Sequence, residues 1–195
     1  SKIADTPECE LLTPSAHGLI TFTSGSTGNP KGADRTHQSL IEQHLAIRAH
    51  WPDQDDDIDS PCFPVLVLHN LCCGISTIMP RVDLAAPAHV NARQITTQWR
   101  TSGITRISAA PAFMSKVCQF ALSSKQSFPT IRAIAIGGST LPYDLVINLD
   151  MIFPNAEIML VYGSTEAEPI AEILLPELRQ YWQHYAGHLV GLPAV

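Results

Sequence analysis

The chain has 195 residues, 45% hydrophobic and 15% charged, with a formal net charge of −6. That much apolar surface excludes a chain that stays disordered for want of a core. The acidic balance argues against a nucleic-acid groove, which needs clustered Lys and Arg. No apolar run approaches the ~20 residues that span a bilayer, and the opening SKIADTPECE has neither the basic lead nor the apolar stretch of a signal peptide. The five cysteines form no CxxC pair, and Cys62, Cys72, Cys73 and Cys118 lie in apolar stretches. Such residues behave as small hydrophobes, and reduced thiols suit a cytoplasmic protein.

Gly18–Phe22 reads as a strand and Thr23–Gly32 as a loop of Gly, Ser and Thr. Thr36 is placed to cap a helix running to His50, with Leu40, Ile41, His44 and Leu45 on one side. Asp53, Asp55, Asp56, Asp57 and Asp59 fit no calcium loop, because a start at Asp53 puts Ile58 and Pro64 where Gly and Glu are required. The segment 51–61 therefore reads as a solvated acidic loop. Cys62–Leu68 is strand-like and Leu71–Met79 helical. Asn91, with Gln94 three residues on, caps a helix bearing Ile95 and Trp99.

Ile104–Ala109 is a strand, and Pro111 suits the first position of a helix whose Met114, Val117, Cys118 and Ala121 share a face. Ile131–Ile136 is a strand ending in Gly137-Gly138. Leu141–Phe153 is a helix, and Glu157–Val161 is the last clear strand. This alternation predicts an α/β fold, a largely parallel sheet flanked by helices. Ligands of such sheets bind beyond the carboxyl ends of the strands. The Gly/Ser/Thr-rich turns after Phe22, Ile136 and Val161 all follow strand ends.

The stretch from Thr23 through Ser24, Gly25, Ser26, Thr27 and Gly28 to Lys31 has the composition of a phosphate cradle: glycines admit close backbone N–H groups, hydroxyls donate, and Lys31 supplies a cation. It is not a Walker A loop, since Gly32 stands where a Mg²⁺-binding hydroxyl is needed. TFTSGSTGNPKG followed by Arg35-Thr36-His37 resembles the phosphate loop of the adenylate-forming superfamily, which includes acyl-CoA synthetases, luciferases, peptide-synthetase adenylation domains and β-lactone synthetases. Val161–Glu166 (VYGSTE) is similar to that family's Y-G-x-T-E segment, Gly137–Pro142 (GGSTLP) to its Gly-Gly-x-x-Leu turn, and Phe63-Pro64 with His69 and Gly74 to its acyl-pocket motif. Gly187–Pro193 (GHLVGLP) resembles its G-x-x-V-G-x-P turn, so the likeness covers residues 18 to 193.

The resemblance implies an ATP-dependent ligase that joins a carboxylic acid to AMP and passes the acyl group to a thiol, with Mg²⁺ as metal and CoA as co-substrate. It implies that Ser24–Gly28 embrace the β- and γ-phosphates beside Lys31, and that Thr23 and Glu166 hold Mg²⁺. Thr165 then bonds the α-phosphate, and Tyr162, Gly163 and Ser164 line the nucleotide opposite Gly137, Gly138 and Ser139, with Tyr162 on adenine. His69 and Gly74 are expected in the substrate pocket. An acyl pocket for an amino acid would need a carboxylate against the ammonium; none lies between Ser60 and Met79, which favours a fatty or aryl acid.

All four lysines precede Tyr162, and no Asp follows it. The family's distal lysine and ribose-binding aspartate therefore have no counterpart, so the chain is expected to be the central fragment (1–195) of the large domain, inactive alone and self-associating through faces exposed by truncation. The alternatives are a non-catalytic nucleotide-binding module and an enzyme like the olefin β-lactone synthetases.

Overall fold

The computed structural model describes residues 10–23, 31–83, 89–185, 187 and 189–194. Two sheets form. β1 (His17–Thr23) and β2 (Lys31–Thr36) make an antiparallel hairpin. The main sheet has seven strands in the order β4-β3-β5-β6-β7-β8-β9: β3 (Ile58–Pro61), β4 (Ser76–Thr77), β5 (Arg106–Ala109), β6 (Ala133–Gly137) and β7 (Glu157–Ser164) are parallel, while β8 (Ala167–Leu174) and β9 (Leu192–Pro193) join antiparallel. The helices are α1 (His37–His50), α2 (Pro64–Cys73), α3 (Ala92–Thr101), α4 (Pro111–Ser123), α5 (Tyr143–Ile152) and α6 (Leu175–His184).

Alternation along the central strands sorts the two layers. Ile134 and Ile136 of β6 and Ile158 and Leu160 of β7 join α3, α4 and α5 in the main core, where Trp99 meets Phe128 edge-on at 5.6 Å. The opposite face carries Ala133 and Ala135 and then Gly137, with Met159 of β7, under Ile47 and Trp51. Small side chains on that face fill less of the gap beneath α1 and α2. That gap is the room for a ligand.

The caps follow the sequence: the Thr36 hydroxyl accepts from the Ser39 N–H at 3.2 Å, and the Asn91 carbonyl from the Gln94 N–H at 3.2 Å. Several expectations change. A single helix, α2, covers most of the strand expected at Cys62–Leu68 and only the start of the helix expected at Leu71–Met79; it begins at Pro64 and is stopped by Gly74 in the left-handed conformation (φ 73°), after which Ser76–Thr77 is β4. A continuous apolar run has no period, so Pro64 and Gly74 were the better signals. The inward residues of α1 are Gln43 and Ile47, whereas Ile41 and Leu45 are exposed. Apolar residues occur all round this helix, so no stripe picks the buried side. β2, β3, β4, β8, α6 and β9 were not anticipated.

The acidic loop is not uniformly solvated. Asp57 and Asp59 are buried. Asp57 accepts from the Gln54 N–H (2.8 Å), the Thr105 hydroxyl (2.8 Å), Arg106 Nη1 (3.2 Å) and Arg132 Nε (3.0 Å). Burial raises its pKa, but those hydrogen bonds and the Arg106 charge outweigh it and leave the carboxyl below the usual value. Burial dominates at Asp59 and raises it, although Asn70 donates to it at 2.9 Å. The Arg106 guanidinium lies 4.3 Å over the Trp51 ring.

Candidate active site

Thr23 and Lys31 pair at the loop end of the hairpin, so the strands hold the two ends of the Gly/Ser/Thr loop together. Ser24, Gly25, Ser26, Thr27 and Gly28 lie outside the described residues. Glu166 is exposed in the turn joining β7 to β8. Arg35 of β2 ties that turn to the hairpin. Its Nη1 donates to the Thr165 carbonyl at 2.9 Å and its Nη2 to Gln43 Oε1 at 2.8 Å, and the residue is 7% exposed. Arg35 thus links β2, the strand that begins at Lys31, to the turn that carries Glu166. The sequence singled out Arg35 only as a flank of the loop; an Arg two residues before a helix start was the available signal.

Two cavities open at the carboxyl ends of β6 and β7. One is lined by Ser139, Thr140 and Leu141 from the turn after β6, by Tyr162 of β7, and by Trp182 and Leu178 of α6. The other, on the opposite face, is walled by Phe63, Leu66, Ala135 and Met159 on one side and by Gln43, His50, Glu168 and Glu172 on the other. Gly138, Val161 and Gly163 line both. Two glycines at this seam leave little between the cavities. Gly138 needs its freedom, having φ 90°, and a Cβ on Gly163 would come within 2.8 Å of Glu168 Cγ. Gly137 lines only the second cavity, and Ser164 and Thr165 continue the β7 end past both.

The second cavity is amphipathic. Gln43, Ile47 and His50 project from one face of α1 toward β8. His50 Nδ1 lies 2.7 Å from Glu172 Oε1, and the second Glu172 oxygen is buried without a hydrogen-bond partner among the described residues. Burial pushes the Glu168 carboxyl up, against the pull of Arg35 and Gln43. β8 brings two carboxylates, Glu168 and Glu172, to this cavity from outside the segment 60–79. His69 and Gly74 line neither cavity. His69 faces His44 and Cys73 in the seam between α1 and α2, and Gly74 is the stop of α2 with no atom within 4 Å of a Cβ built on it. Phe63, from the same motif, does line the cavity.

A mostly parallel sheet flanked by helices, with paired cavities at its strand ends, defines an α/β protein, and comparison with known proteins makes the class specific. The chain belongs to the AMP-binding enzyme family, whose model matches residues 3–194. It is 29% identical over 98% of its length to the olefin beta-lactone synthetase of Xanthomonas campestris pv. campestris, covering 33% of that protein. It is also 29% identical over 76% of its length to the 2-succinylbenzoate–CoA ligase of Arabidopsis thaliana, covering 27%. Among solved structures, VinN with L-aspartate superposes with a TM-score of 0.77 at 22% identity over 96% of this chain and 46% of VinN. The Bacillus subtilis O-succinylbenzoate coenzyme A synthetase with ATP and magnesium gives 0.73 at 17% identity, over 95% of this chain and 38% of that one. The chain thus spans about a third of the length of the curated relatives it matches.

Proposed function

We propose that the chain is the central part of an ATP-dependent ligase that activates a carboxylic acid as its adenylate. The observation that carries this is the seam: a cavity suited to a base and ribose and a half-apolar cavity suited to an acid meet at Gly138, Val161 and Gly163. There the acid's carboxylate oxygen would attack the α-phosphorus of ATP as the bond to pyrophosphate breaks. Both reactants are anions, so positioning and charge neutralisation supply the catalysis.

In this reading Tyr162 stacks on adenine opposite Gly138 and Ser139, Thr165 bonds the α-phosphate, and Ser24–Gly28 with Lys31 hold the outer phosphates. The fit of Mg²⁺ rests on the exposed carboxylate of Glu166, a hard oxygen donor on the turn Arg35 ties to the hairpin. Glu166 and Thr23 would hold that ion with water, and it would lower the charge on the phosphates. The Phe63, Leu66 and Met159 wall supports an acid with an aliphatic or aryl body, and CoA is the proposed acceptor. No helix among the described residues is long and apolar enough to cross a membrane, and the free thiols of Cys62, Cys72, Cys73 and Cys118 support a cytoplasmic setting. Exposed Ile20 and Phe22 on the hairpin support self-association.

The test is acid-dependent ATP–pyrophosphate exchange by the full-length parent protein, expected to fall sharply in Glu166→Gln. Exchange unaffected by that change would remove Glu166 from the site, and no exchange with any acid would favour the non-catalytic module. A second reading, a β-lactone synthetase, is favoured by the polar wall of His50 and Glu172, which would suit an acid carrying its own hydroxyl. AMP release without any thiol would distinguish it from CoA ligation.

A further inference from the structure

His44 on α1 and His69 and Cys73 on α2 form a cluster that lines neither cavity. Residues 69 and 73 are one helical turn apart and share a face of α2, and His44 meets them from α1. His44 Nδ1 lies 3.1 Å from His69 Nδ1, and Cys73 Sγ lies 3.7 Å from His69 Nε2. One donor atom from each residue falls within 4.8 Å of the other two. A tetrahedral ion with nitrogen at about 2.0–2.1 Å and sulfur at about 2.3 Å sets its donors about 3.4–3.6 Å apart. The trio closes on such an ion by movements of roughly an ångström in half-buried His44 and Cys73.

Two imidazoles and a thiol disfavour Mg²⁺ and Ca²⁺ and suit zinc.

We propose that His44, His69 and Cys73 bind a Zn²⁺ ion that pins α1 to α2. These helices carry Gln43 and His50, and Val65 and Leu66, of the half-apolar cavity, so the ion would stiffen that cavity's mouth. The proposal does not depend on the ligase reading. The rival is a hydrogen-bonded relay of the same side chains that takes no ion.

The test is Co²⁺ titration of the reduced 195-residue chain, followed by Zn²⁺ competition. One equivalent of Co²⁺ should give a near-ultraviolet thiolate-to-metal band and intense visible ligand-field bands, both erased by Zn²⁺. Cys73→Ser should abolish the thiolate band and Cys72→Ser should keep it. His44→Gln should weaken Co²⁺ binding by more than the roughly 10–100-fold that losing a supporting contact costs a metal site. Circular dichroism of each variant verifies folding, and both substitutions fall on half-buried residues. Absence of the band in the wild-type chain, its survival in Cys73→Ser, or unchanged affinity in His44→Gln would overturn the site.

Discussion

Replacing Asp57 by Ala isolates the main buried charge network. In the folded chain the side chains of Asp57 and Arg106 are both 0% exposed, and Asp57 takes hydrogen bonds from two guanidinium groups, a hydroxyl and a backbone N–H. The alanine leaves Arg106 buried under Trp51 with Asp59 as the next nearby carboxylate, and Asp59 is already engaged by Asn70. Removing one partner of a buried pair typically costs about 3–5 kcal/mol. For a domain of this size each kcal/mol moves the midpoint by roughly 2–4 °C, so the expected fall is roughly 6–20 °C. Urea unfolding followed by tryptophan fluorescence, with thermal circular dichroism alongside, reads both. Adding Arg106→Met should recover part of the loss, because the uncompensated charge goes with it. A loss under about 1 kcal/mol for Asp57→Ala would refute the reasoning, since that is the range of an exposed pair.

The same carboxylate sets an acid limb. Its folded pKa lies below the unfolded value of about 3.9, so its stabilisation is present above that value and is lost as pH falls through the folded one; Asp57→Asn should flatten urea stability across this window. Arg35→Met should weaken ATP binding by about tenfold, equivalent to 1.4 kcal/mol, by freeing the hairpin from the Thr165 carbonyl, as titration calorimetry would measure. A Cβ at Gly137 would sit 2.7 Å from the Val161 carbonyl oxygen, so Gly137→Ala should destabilise the chain by about 1–3 kcal/mol in the same urea assay. Phe22→Ser, on the exposed hairpin face, should shift any self-associated species toward monomer in analytical ultracentrifugation.

Where local chemistry decides structure, the sequence was readable. Thr36 and Asn91 are caps because a side-chain oxygen can reach an N–H three residues on, and α4 follows Pro111 for the same local reason. The glycine turn after Ile136 does lie at a strand end, whereas Tyr162 and Gly163 belong to β7 itself and the turn comes at Thr165-Glu166; Tyr162 with Ser139 lines one cavity. What escaped was set by distant partners. Asp57 looks solvated until Arg106 and Arg132, 49 and 75 residues away, fold over it. Gln43 looks like a surface residue of α1 until β8 packs against it, and the pocket carboxylates come from β8, a strand the periodicity did not reveal. His69 resembled a pocket residue because its motif does; one turn of α2 separates it from Leu66, which faces the cavity while His69 turns to α1.

The central claim is that nucleotide and acid meet across Gly138 and Gly163. The most direct measurement is an amide chemical-shift titration of the isotopically labelled chain with decanoyl-sulfamoyl-adenosine, a stable mimic of the mixed anhydride. The account predicts saturable shifts on both sides of the seam together: Ser139 and Tyr162 in one cavity, Gln43 and Phe63 in the other. Shifts confined to a distant surface such as α3, or no saturable shifts at all, would contradict it.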